Sequence, residues 1–455
     1  MHGLHRQTAV AMPSPLLPVS PAAHARAQAL LDFIDASPSP WHAVDSAAAL
    51  LEAAGYRRLD EADPWQLAPG ARHYVVRDGS TLAAFRIGSA PLTEAGLRLV
   101  GAHTDSPGLR VKPQAGQTTG DWLRLGVEIY GGPILATFTD RDLSLAGRVA
   151  LRAPGTPLGV ESRLVRFAAP LLRIPNLAIH LNRTVNEDGL KLDRQNALPP
   201  ILGAVQEGLP AADHLARLLA DALDVDPGEL LGFELNVCDT QPGAFFGRQQ
   251  EFIADSQLDN LGSCHAALMA LLDTDAAGAK SSAVCFLFDH EEVGSTSAKG
   301  ADGSFLDDVL ERIALCRGLG REDYRRALAR SMLVSADMAH AFNPGHAGAY
   351  DDQHRVHLNQ GPVIKTNASQ RYTSESLSAG VFQLACERAG VPWQSYVQRS
   401  DLACGSTIGP LAASRLGLRS VDVGNPMWAM HSLRESAGAA DHDAMCRALA
   451  AFFSD

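Results

Sequence analysis

The chain has 455 residues with 39 basic and 51 acidic side chains, so its formal net charge is −12 with histidine neutral. This excess of acidic residues argues against nucleic acid or an anionic membrane as the main partner. Hydrophobic residues make up 46% and charged residues 20% of the chain, which is typical of a folded globular protein. No apolar run reaches the ~18 residues of a membrane span, so we expect a soluble protein.

The seven cysteines are dispersed and form no C-x-x-C pair. The sequence therefore predicts neither a disulfide framework nor a cysteine zinc site, and we expect a cytoplasmic protein. Residues 1–22 weakly resemble a signal peptide, but Pro13, Pro15 and Pro18 interrupt their apolar run. We interpret this segment as a mobile tail.

The first predicted elements are helices followed by strands. AHARAQALLDFIDAS has apolar residues at helical spacing, and SAAALLEAAGY resumes a helix after two prolines. TLAAFRI and LRLVGA are predicted to be short buried strands, and the second leads directly into His103, Thr104 and Asp105.

Between about residues 108 and 230 the sequence consists mainly of short β-like pieces separated by glycine and proline. WLRLGVEIY, LSLAGRVAL and LAIHLNR are such pieces, and ADHLARLLADAL follows them as a helix. We interpret residues 108–230 as an inserted, mostly β domain. It would divide the main domain into residues 1–107 and 231–455.

The last part of the chain alternates strands and helices. FELNVCD, SSAVCFLFD, SMLVSAD and LRSVDVG have strand length, and helical patterns such as LDNLGSCHAALMALLD separate them. This alternation predicts an α/β fold with a mixed, largely parallel sheet that helices cover on both faces.

Potential metal ligands follow the predicted strands of this sheet. These side chains are His103, Asp105, Glu291, Glu292, Asp337, His340 and His431, while Asp259 opens a helix. Because ligands bind beyond the carboxyl ends of strands in open α/β sheets, we expect the side chains to meet at one edge. Histidine and carboxylates together suit a divalent metal ion. Taken singly, each also has an ordinary interpretation as a helix cap or structural residue.

The adjacent pair Glu291 and Glu292 suits a metal-dependent hydrolase. Neighbouring side chains in a loop point in different directions, so one carboxylate can bind a metal ion while the other stays free. A free carboxylate beside a metal-activated water is a general base, and an aspartate between two ions can bridge them. The alternative is a solvated acidic turn.

The sequence resembles the aspartyl aminopeptidase family, the M18 metallopeptidases, through eight ordered motifs. They are FIDASPSPWHAV, VGAHTDSPGLRVK, IPNLAIHLNR, SQLDNL, DHEEVGS, SADMAHAFNP, GPVIKTNASQRY and NPMWAMHSLRE. The resemblance implies the zinc exopeptidase fold, with the inserted domain making dimer contacts within a tetrahedral homododecamer. It also implies an enzyme that removes N-terminal Asp or Glu from peptides and uses two divalent metal ions, namely zinc.

The resemblance also implies a role for each candidate ligand. His103 and Asp337 would bind one zinc ion, Glu292 and His431 would bind the other, and Asp259 would bridge the two.

The catalytic groups are implied in the same way. Glu291 would be the general base. Asp105 would orient a ligand imidazole, although a turn residue is its alternative interpretation.

Substrate contacts are implied at three further positions. Lys365 would receive the acidic side chain of the substrate, and Tyr372 would lie near it. His180 would enter a neighbouring subunit's active site and stabilise the oxyanion. From the residues alone, these three could instead be a surface charge, a packed tyrosine and a buried strand histidine. Lysine is a rare choice here, with five lysines against 34 arginines.

One departure and several rival functions remain at this stage. Gln257 stands where the family commonly has arginine, which puts any ion pair of that arginine in doubt. A dizinc hydrolase of other specificity, either a neutral aminopeptidase or a deacylase, is one rival, and a noncatalytic assembly or cargo protein is another. The sequence has no G-x-S-x-G, H-E-x-x-H or G-x-x-x-x-G-K-[ST] motif, which argues against serine nucleophiles, thermolysin-like sites and P-loop nucleotide binding.

Overall fold

The computed structural model describes residues 16–205, 208–274 and 279–454. Its α-helices, in chain order, are α1 (Pro21–Asp35), α2 (Pro40–Ala53), α3 (Leu92–Ala95), α4 (Val185–Asp188), α5 (Ala211–Leu223), α6 (Leu258–Asp273), α7 (Phe305–Cys316), α8 (Arg321–Ala329), α9 (Ser376–Ala389), α10 (Ile408–Leu416) and α11 (Ala439–Phe453).

The strands are likewise numbered in chain order. They are β1 (Arg57–Leu59), β2 (Arg72–Arg77), β3 (Thr81–Arg86), β4 (Leu97–His103), β5 (Gly108–Thr119), β6 (Trp122–Tyr130), β7 (Leu143–Arg152), β8 (Val160–Arg166), β9 (Ile201–Ala204), β10 (Leu230–Asp239), β11 (Ala244–Phe246), β12 (Phe252–Asp255), β13 (Ser282–Phe288), β14 (Met332–Ala336), β15 (Ala339–His340), β16 (Val363–Thr366), β17 (Gln394–Val397), β18 (Arg419–Gly424), β19 (Pro426–Trp428) and β20 (Glu435–Gly438).

The N-terminal segment differs from its prediction in two respects. Residues 1–15 of the expected mobile tail lie outside the described residues, but Leu17 donates its N–H to the carbonyl of Asn359 at 2.7 Å. Helix α2 begins at Pro40, before the predicted SAAALLEAAGY. The reason is that Ser39 is its N-cap and proline is well suited to the first helical turn.

Nine of the described strands form the main sheet, in the order β1-β2-β3-β13-β4-β14-β18-β16-β17. The pairs β13·β4, β4·β14 and β14·β18 at its centre are parallel, whereas β3·β13 and β16·β18 are antiparallel. The prediction of a mixed, largely parallel sheet is confirmed.

Helices cover both faces of the main sheet, as predicted. Along β13, Ala283, Cys285 and Leu287 pack in a core with α1, α2, α6 and α11. Val284 and Phe286 point the other way and pack in a second core with α7, α8 and α10. Because successive strand residues point to opposite faces, an uninterrupted apolar strand is the expected sequence of a sheet buried on both sides.

Six strands form a second, wholly antiparallel sheet, in the order β8-β7-β10-β5-β6-β9, which we call the inserted sheet. Two predictions are wrong here. FELNVCD, expected in the main sheet, forms part of β10, whose pairing with β5 and β7 extends the inserted sheet beyond residue 230. LAIHLNR, expected as a strand, lies in a loop and exposes its leucines, because no neighbouring strand pairs with it in the described chain.

The remaining five strands form a small sheet in the order β11-β12-β20-β19-β15. Strand β12 leads into α6, and the turn between β19 and β20 carries His431. The small sheet therefore brings the segments that carry Asp259 and His431 against the carboxyl edge of the main sheet. A search of the described helices found none with the length and apolarity needed to cross a bilayer.

Candidate metal centre

Adjacent strands of the main sheet present the predicted ligands at one edge. His103 is the last residue of β4, Asp337 follows β14, and Glu291 and Glu292 follow β13. The parallel register pairs Phe288 with His103, so the loop after β13 begins beside that histidine. The expectation that strand ends gather these side chains is met in the structure.

The candidate ligands form two groups that share Asp259. In the first, Nε2 of His103 lies 3.6 Å from Oδ1 of Asp259 and 3.6 Å from Oδ1 of Asp337. In the second, Nε2 of His431 lies 3.2 Å from Oδ2 of Asp259 and 3.5 Å from Oε1 of Glu292. Each group offers ligand atoms within 4.8 Å of one another. Asp259 thus directs one carboxylate oxygen to each group.

The side chains of the first group are buried, and their surroundings fit a cation. Asp259 is 3% exposed, and its Oδ1 has no hydrogen-bond partner among the described residues. A buried, unpaired carboxylate oxygen is costly unless a cation satisfies it. Imidazole and carboxylate donors in this number suit zinc, so the residues present fit a divalent ion in each group.

Asp105 organises the turn that carries the two glutamates. Its carboxylate accepts the backbone N–H groups of Glu291 and Glu292, each at 3.1 Å. Its backbone carbonyl accepts Nδ1–H of His103 at 2.9 Å, which directs Nε2 toward Asp259 and Asp337. Asp105 is fully buried, and these contacts give it more than the role of a simple turn residue.

Glu291 lies at the margin of the centre, where it forms a third three-residue group with His103 and Glu292 that does not include Asp259. Its Oε2 is 4.0 Å from Nε2 of His103, farther than the oxygens of Asp259 and Asp337. Burial, together with the charges of the neighbouring aspartates, raises the pKa of Glu291 to about 8, while His103 acts in the opposite direction. A carboxyl group with a pKa near neutrality is suited to proton transfer.

Lys365 and Tyr372 are both buried beside the first group. Lys365 is 2% exposed and donates to the carbonyls of Asp337 at 2.8 Å and Met338 at 3.1 Å, with Oδ2 of Asp337 at 3.4 Å. The Tyr372 ring centroid lies 5.1 Å from its ammonium. Interpretation of Lys365 as a surface charge is therefore wrong, because the side chain is packed against a candidate ligand.

His180 is not brought to the centre of its own chain. It lies in the exposed loop between β8 and β9 and belongs to none of the ligand groups found among the described residues. The alternative of a buried strand histidine is wrong, because its segment pairs with no described strand and is flanked by exposed Ile179 and Leu181.

Comparison with known proteins identifies the family. The model of the family described as Aminopeptidase I zinc metalloprotease (M18) matches residues 33–453 of this chain. The chain belongs to the M18 family. It is therefore a metallo-aminopeptidase of a zinc-dependent family, as its sequence motifs predicted.

M18 relatives match nearly the whole chain. A probable M18 family aminopeptidase 2 from Ectopseudomonas mendocina is 51% identical over 429 residues, which cover 94% of this chain and 97% of the relative. A chain in the cryo-EM structure of the Ape4 and Nbr1 complex has a TM-score of 0.90 at 37% identity, covering 97% of this chain and 88% of that one. The S. cerevesiae mApe1 dodecamer has a TM-score of 0.82 at 27% identity, with coverage of 95% and 97%.

The M18 chain also contains a buried glutamate that our sequence reasoning missed. Glu435 is 2% exposed and accepts the backbone N–H of Asp259 at 2.9 Å and that of His431 at 2.6 Å. It therefore ties together two segments that carry candidate ligands. Glu435 is the last residue of the motif NPMWAMHSLRE, which is the one indication that the sequence offers. A single glutamate four residues after a histidine does not by itself predict these contacts.

Four groups of the M18 centre make the metal-free protein sensitive to pH. Burial first, then the charge of Asp259, raises the pKa of Glu292 and Glu435 well above the usual value. Burial lowers the pKa of His103 and His431, but neighbouring carboxylates outweigh it and raise both values. Each group binds protons more tightly in the folded chain, so stability falls as pH rises.

We therefore expect the melting temperature of the metal-free protein to fall by a few degrees between about pH 7.5 and pH 9. Below about pH 7 the opposite contribution comes from buried histidines such as His42, His265 and His442, because burial lowers their pKa and stability then rises with pH. Zinc replaces the protons of the four groups as the neutralising charge, so the stabilisation on adding zinc should grow between about pH 7.5 and pH 9. Differential scanning calorimetry of metal-depleted protein, with and without zinc, measures both quantities. A melting temperature that rises between about pH 7.5 and pH 9 in the metal-free protein would contradict this account.

The carboxylates with lowered pKa do not alter that expectation. Hydrogen bonds and charges from His103 lower the pKa of Asp105 despite its burial, and Lys365 and His103 do the same for Asp337. Their contributions to stability are lost only as pH falls below about 4, the normal range of aspartate.

Proposed function

We propose that this M18 chain is a dizinc aminopeptidase that removes N-terminal Asp or Glu from peptides. The observation that carries the dizinc part is Asp259, which places one oxygen in each of two three-residue groups. His103 and Asp337 would hold one ion, and Glu292 and His431 the other. When bound, the ions supply a polarised carbonyl and a water whose pKa is lowered toward ~7.

Glu291 would perform the proton transfer. It lies next to the ligands without joining the two groups that share Asp259, so its carboxylate would stay free to exchange a proton with a water held there. Glu291 would accept a proton from the attacking water and deliver it to the leaving amine. Asp105 would keep the Glu291 turn in place, and His180 of another subunit would donate to the developing oxyanion.

An open pocket of about 240 Å³ beside the centre supports the acidic specificity. His340, Tyr350, Tyr396 and Gln398 contribute polar groups, and no acidic side chain occurs among its described lining residues. The ring nitrogens of His340 have no hydrogen-bond partner in the described part of the chain. Desolvation has the largest effect on the pKa of His340 and lowers it, and the charges of Lys365, Asp259, Asp337 and His431 also act on it. In a chain of net charge −12, a pocket of donors without carboxylates favours an anionic side chain.

Lys365 does not line this pocket and is 2% exposed, but its charge acts on His340, which does, and we propose that Lys365 supplies the charge for this specificity. Its contact with Oδ2 of Asp337 is the longest of its three, at 3.4 Å, and is the one that a substrate carboxylate would replace. Tyr372 would limit the position of the ammonium by packing against it.

Lys365→Met should lower kcat/KM for Asp- and Glu-linked chromogenic substrates about 10- to 100-fold, the loss of a charged hydrogen bond worth about 1.5–3 kcal/mol. Cleavage of a Leu-linked substrate should change little. Lys365→Arg is the control that keeps the charge, and zinc content is measured in parallel. If kcat/KM fell equally for all three substrates, Lys365 would act through Asp337, and the proposal that it binds an acidic side chain of the substrate would be wrong.

The rival functions give different results in the same assay. A neutral aminopeptidase or a deacylase would favour the Leu-linked or an N-acyl substrate. A noncatalytic assembly or cargo protein would cleave none of them and would contain no metal when purified.

We also propose that residues 108–230 form a dimerisation domain between the two parts of the catalytic domain, 1–107 and 231–455. Assembly into a tetrahedral homododecamer is supported by the dodecamer of the mApe1 relative and by the exposed Leu177, Ile179 and Leu181 around His180. Seven free cysteines support a cytoplasmic location. Sedimentation velocity tests the assembly, and a monomer would exclude it.

A further inference from the structure

A short segment that begins at the last residue of β6 lies against the candidate metal centre. This segment, Tyr130–Ile134, has the sequence YGGPI and connects the inserted sheet to a single helical turn at Leu135–Phe138. No chemical role follows from these residue types alone. Four of its residues nevertheless contact the candidate ligands or the groups that flank them.

Tyr130 supports the carboxylate that organises the glutamate turn. Its hydroxyl donates to Oδ2 of Asp105 at 2.7 Å, and its ring is 8% exposed, with the Arg110 guanidinium 3.7 Å from the ring centroid. The same Asp105 carboxylate accepts the N–H groups of Glu291 and Glu292. The hydroxyl of Tyr130 and the N–H of Glu292 thus share Oδ2 of Asp105 as their acceptor.

Gly131 packs directly on a candidate ligand. Its φ is +66°, a conformation that favours glycine, and a Cβ built on it would lie 3.1 Å from Cβ of Glu292 and 3.3 Å from its carbonyl oxygen. A side chain here would strain the backbone and also press on Glu292.

The next residues hold His431. The carbonyl of Gly132 accepts Nδ1–H of His431 at 3.1 Å, and the N–H of Ile134 donates to the His431 carbonyl at 2.8 Å. Donation from Nδ1 leaves Nε2 with its lone pair free, and this atom lies 3.2 Å from Oδ2 of Asp259.

We propose that Tyr130–Ile134 is a positioning element for the Glu292 and His431 half of the metal centre. The inserted sheet thereby takes part in metal binding through its own chain, independently of any contact between subunits. The inference rests on the proposed dizinc function for its second ion. Contacts of this kind, which orient a ligand without touching the metal, typically change metal affinity or activity by 10- to 100-fold.

The first test is Gly131→Ala, with zinc affinity measured by competition against a chromogenic chelator on metal-depleted protein. We expect one of two ions to bind about 10- to 100-fold more weakly and the other to be unchanged. Gly120→Ala is the matched control, because Gly120 also has positive φ, at +58°, but a Cβ there would meet no atom within 4 Å. Wild-type affinity for both ions in Gly131→Ala would overturn the proposal.

Tyr130→Phe keeps the test decisive if Gly131→Ala does not fold. Removal of one hydroxyl should weaken the same ion and lower kcat about 10-fold or more, with KM nearly unchanged. Tyr324→Phe is its control, since that buried tyrosine donates to Asp307 at 2.6 Å on α7, a residue with no place in the centre. If Tyr130→Phe and Tyr324→Phe changed zinc affinity and kcat equally, Tyr130 would have only a packing role, and the proposal for its hydroxyl would be overturned.

The wild-type stoichiometry separates this inference from the proposed function. If the wild-type protein binds a single zinc ion, the dizinc function fails. The proposal for Tyr130–Ile134 is then supported if Gly131→Ala lowers the affinity for that ion more than Gly120→Ala does, and it is overturned if the two variants have the same affinity.

Discussion

Replacing Glu291 by glutamine should reduce turnover about 10²- to 10⁴-fold, the usual contribution of a general base, while zinc content stays at the wild-type level. The amide keeps the size of the side chain but cannot accept a proton. Metal content should survive because Glu291 contributes to neither of the two groups that share Asp259, and its Oε2 lies farther from Nε2 of His103 than the oxygens of Asp259 and Asp337 do. Steady-state kinetics and elemental analysis of the same preparation measure the two effects.

The neighbouring glutamate provides a matched control. Glu292→Gln alters an adjacent residue of the same turn, whose N–H also binds Asp105, but it removes a ligand from the His431 group. It should lose zinc as well as activity. If Glu291→Gln lost zinc and Glu292→Gln retained it, Glu291 would be the metal ligand and Glu292 the general base.

Asp259→Asn should have the widest effect on metal binding. Each oxygen of Asp259 serves a different group, so one substitution should weaken both ions, lower the zinc content toward zero and abolish activity. An amide presents one neutral oxygen and one nitrogen donor, which cannot bridge two cations. Isothermal titration of zinc into metal-depleted protein checks the number of sites and their affinities.

Asp337→Asn distinguishes a bridge from a ligand of one ion. Asp337 belongs only to the His103 group, so this variant should lose one ion and retain the other. If Asp259→Asn also lost only one ion, Asp259 would be an ordinary ligand and the dizinc bridge would be wrong.

The main sheet and the meeting of the candidate ligands at one edge were predictable because they depend on local, repeated patterns. Uninterrupted apolar runs such as SSAVCFLF indicate a strand buried on both faces, and parallel strands bring their carboxyl ends to the same edge. His103 is the last residue of such a strand, Asp337 directly follows one, and Glu292 lies in the turn after a third. Their meeting point therefore follows from the fold class.

The errors arose where pairing with distant segments decides the outcome. FELNVCD has the composition of either sheet, and its partners β5 and β7 lie more than 80 residues earlier in the chain. LAIHLNR has an apolar alternation that suits a strand, but it lacks a neighbour to supply hydrogen bonds in the described chain. Strand propensity alone cannot distinguish these cases.

The supporting contacts of the centre were not predictable for a related reason. Glu435 and Tyr130 act through a carboxylate and a hydroxyl that are common in any protein, and they reach Asp259 and Asp105, which are more than 20 residues away in the chain. Gly132 acts through its backbone carbonyl, which carries no sequence signal at all. Such contacts become visible only when the chain is folded.

The order of the ligands along the chain has a consequence for protein synthesis. Both groups need Asp259, one also needs Asp337, and the other needs His431, which stands close to the C-terminal helix α11. A growing chain that has completed β4, β13 and β14 still lacks the last imidazole and the Glu435 that holds it. The complete set of candidate ligands can therefore come together only after the chain has been synthesised through His431 and Glu435.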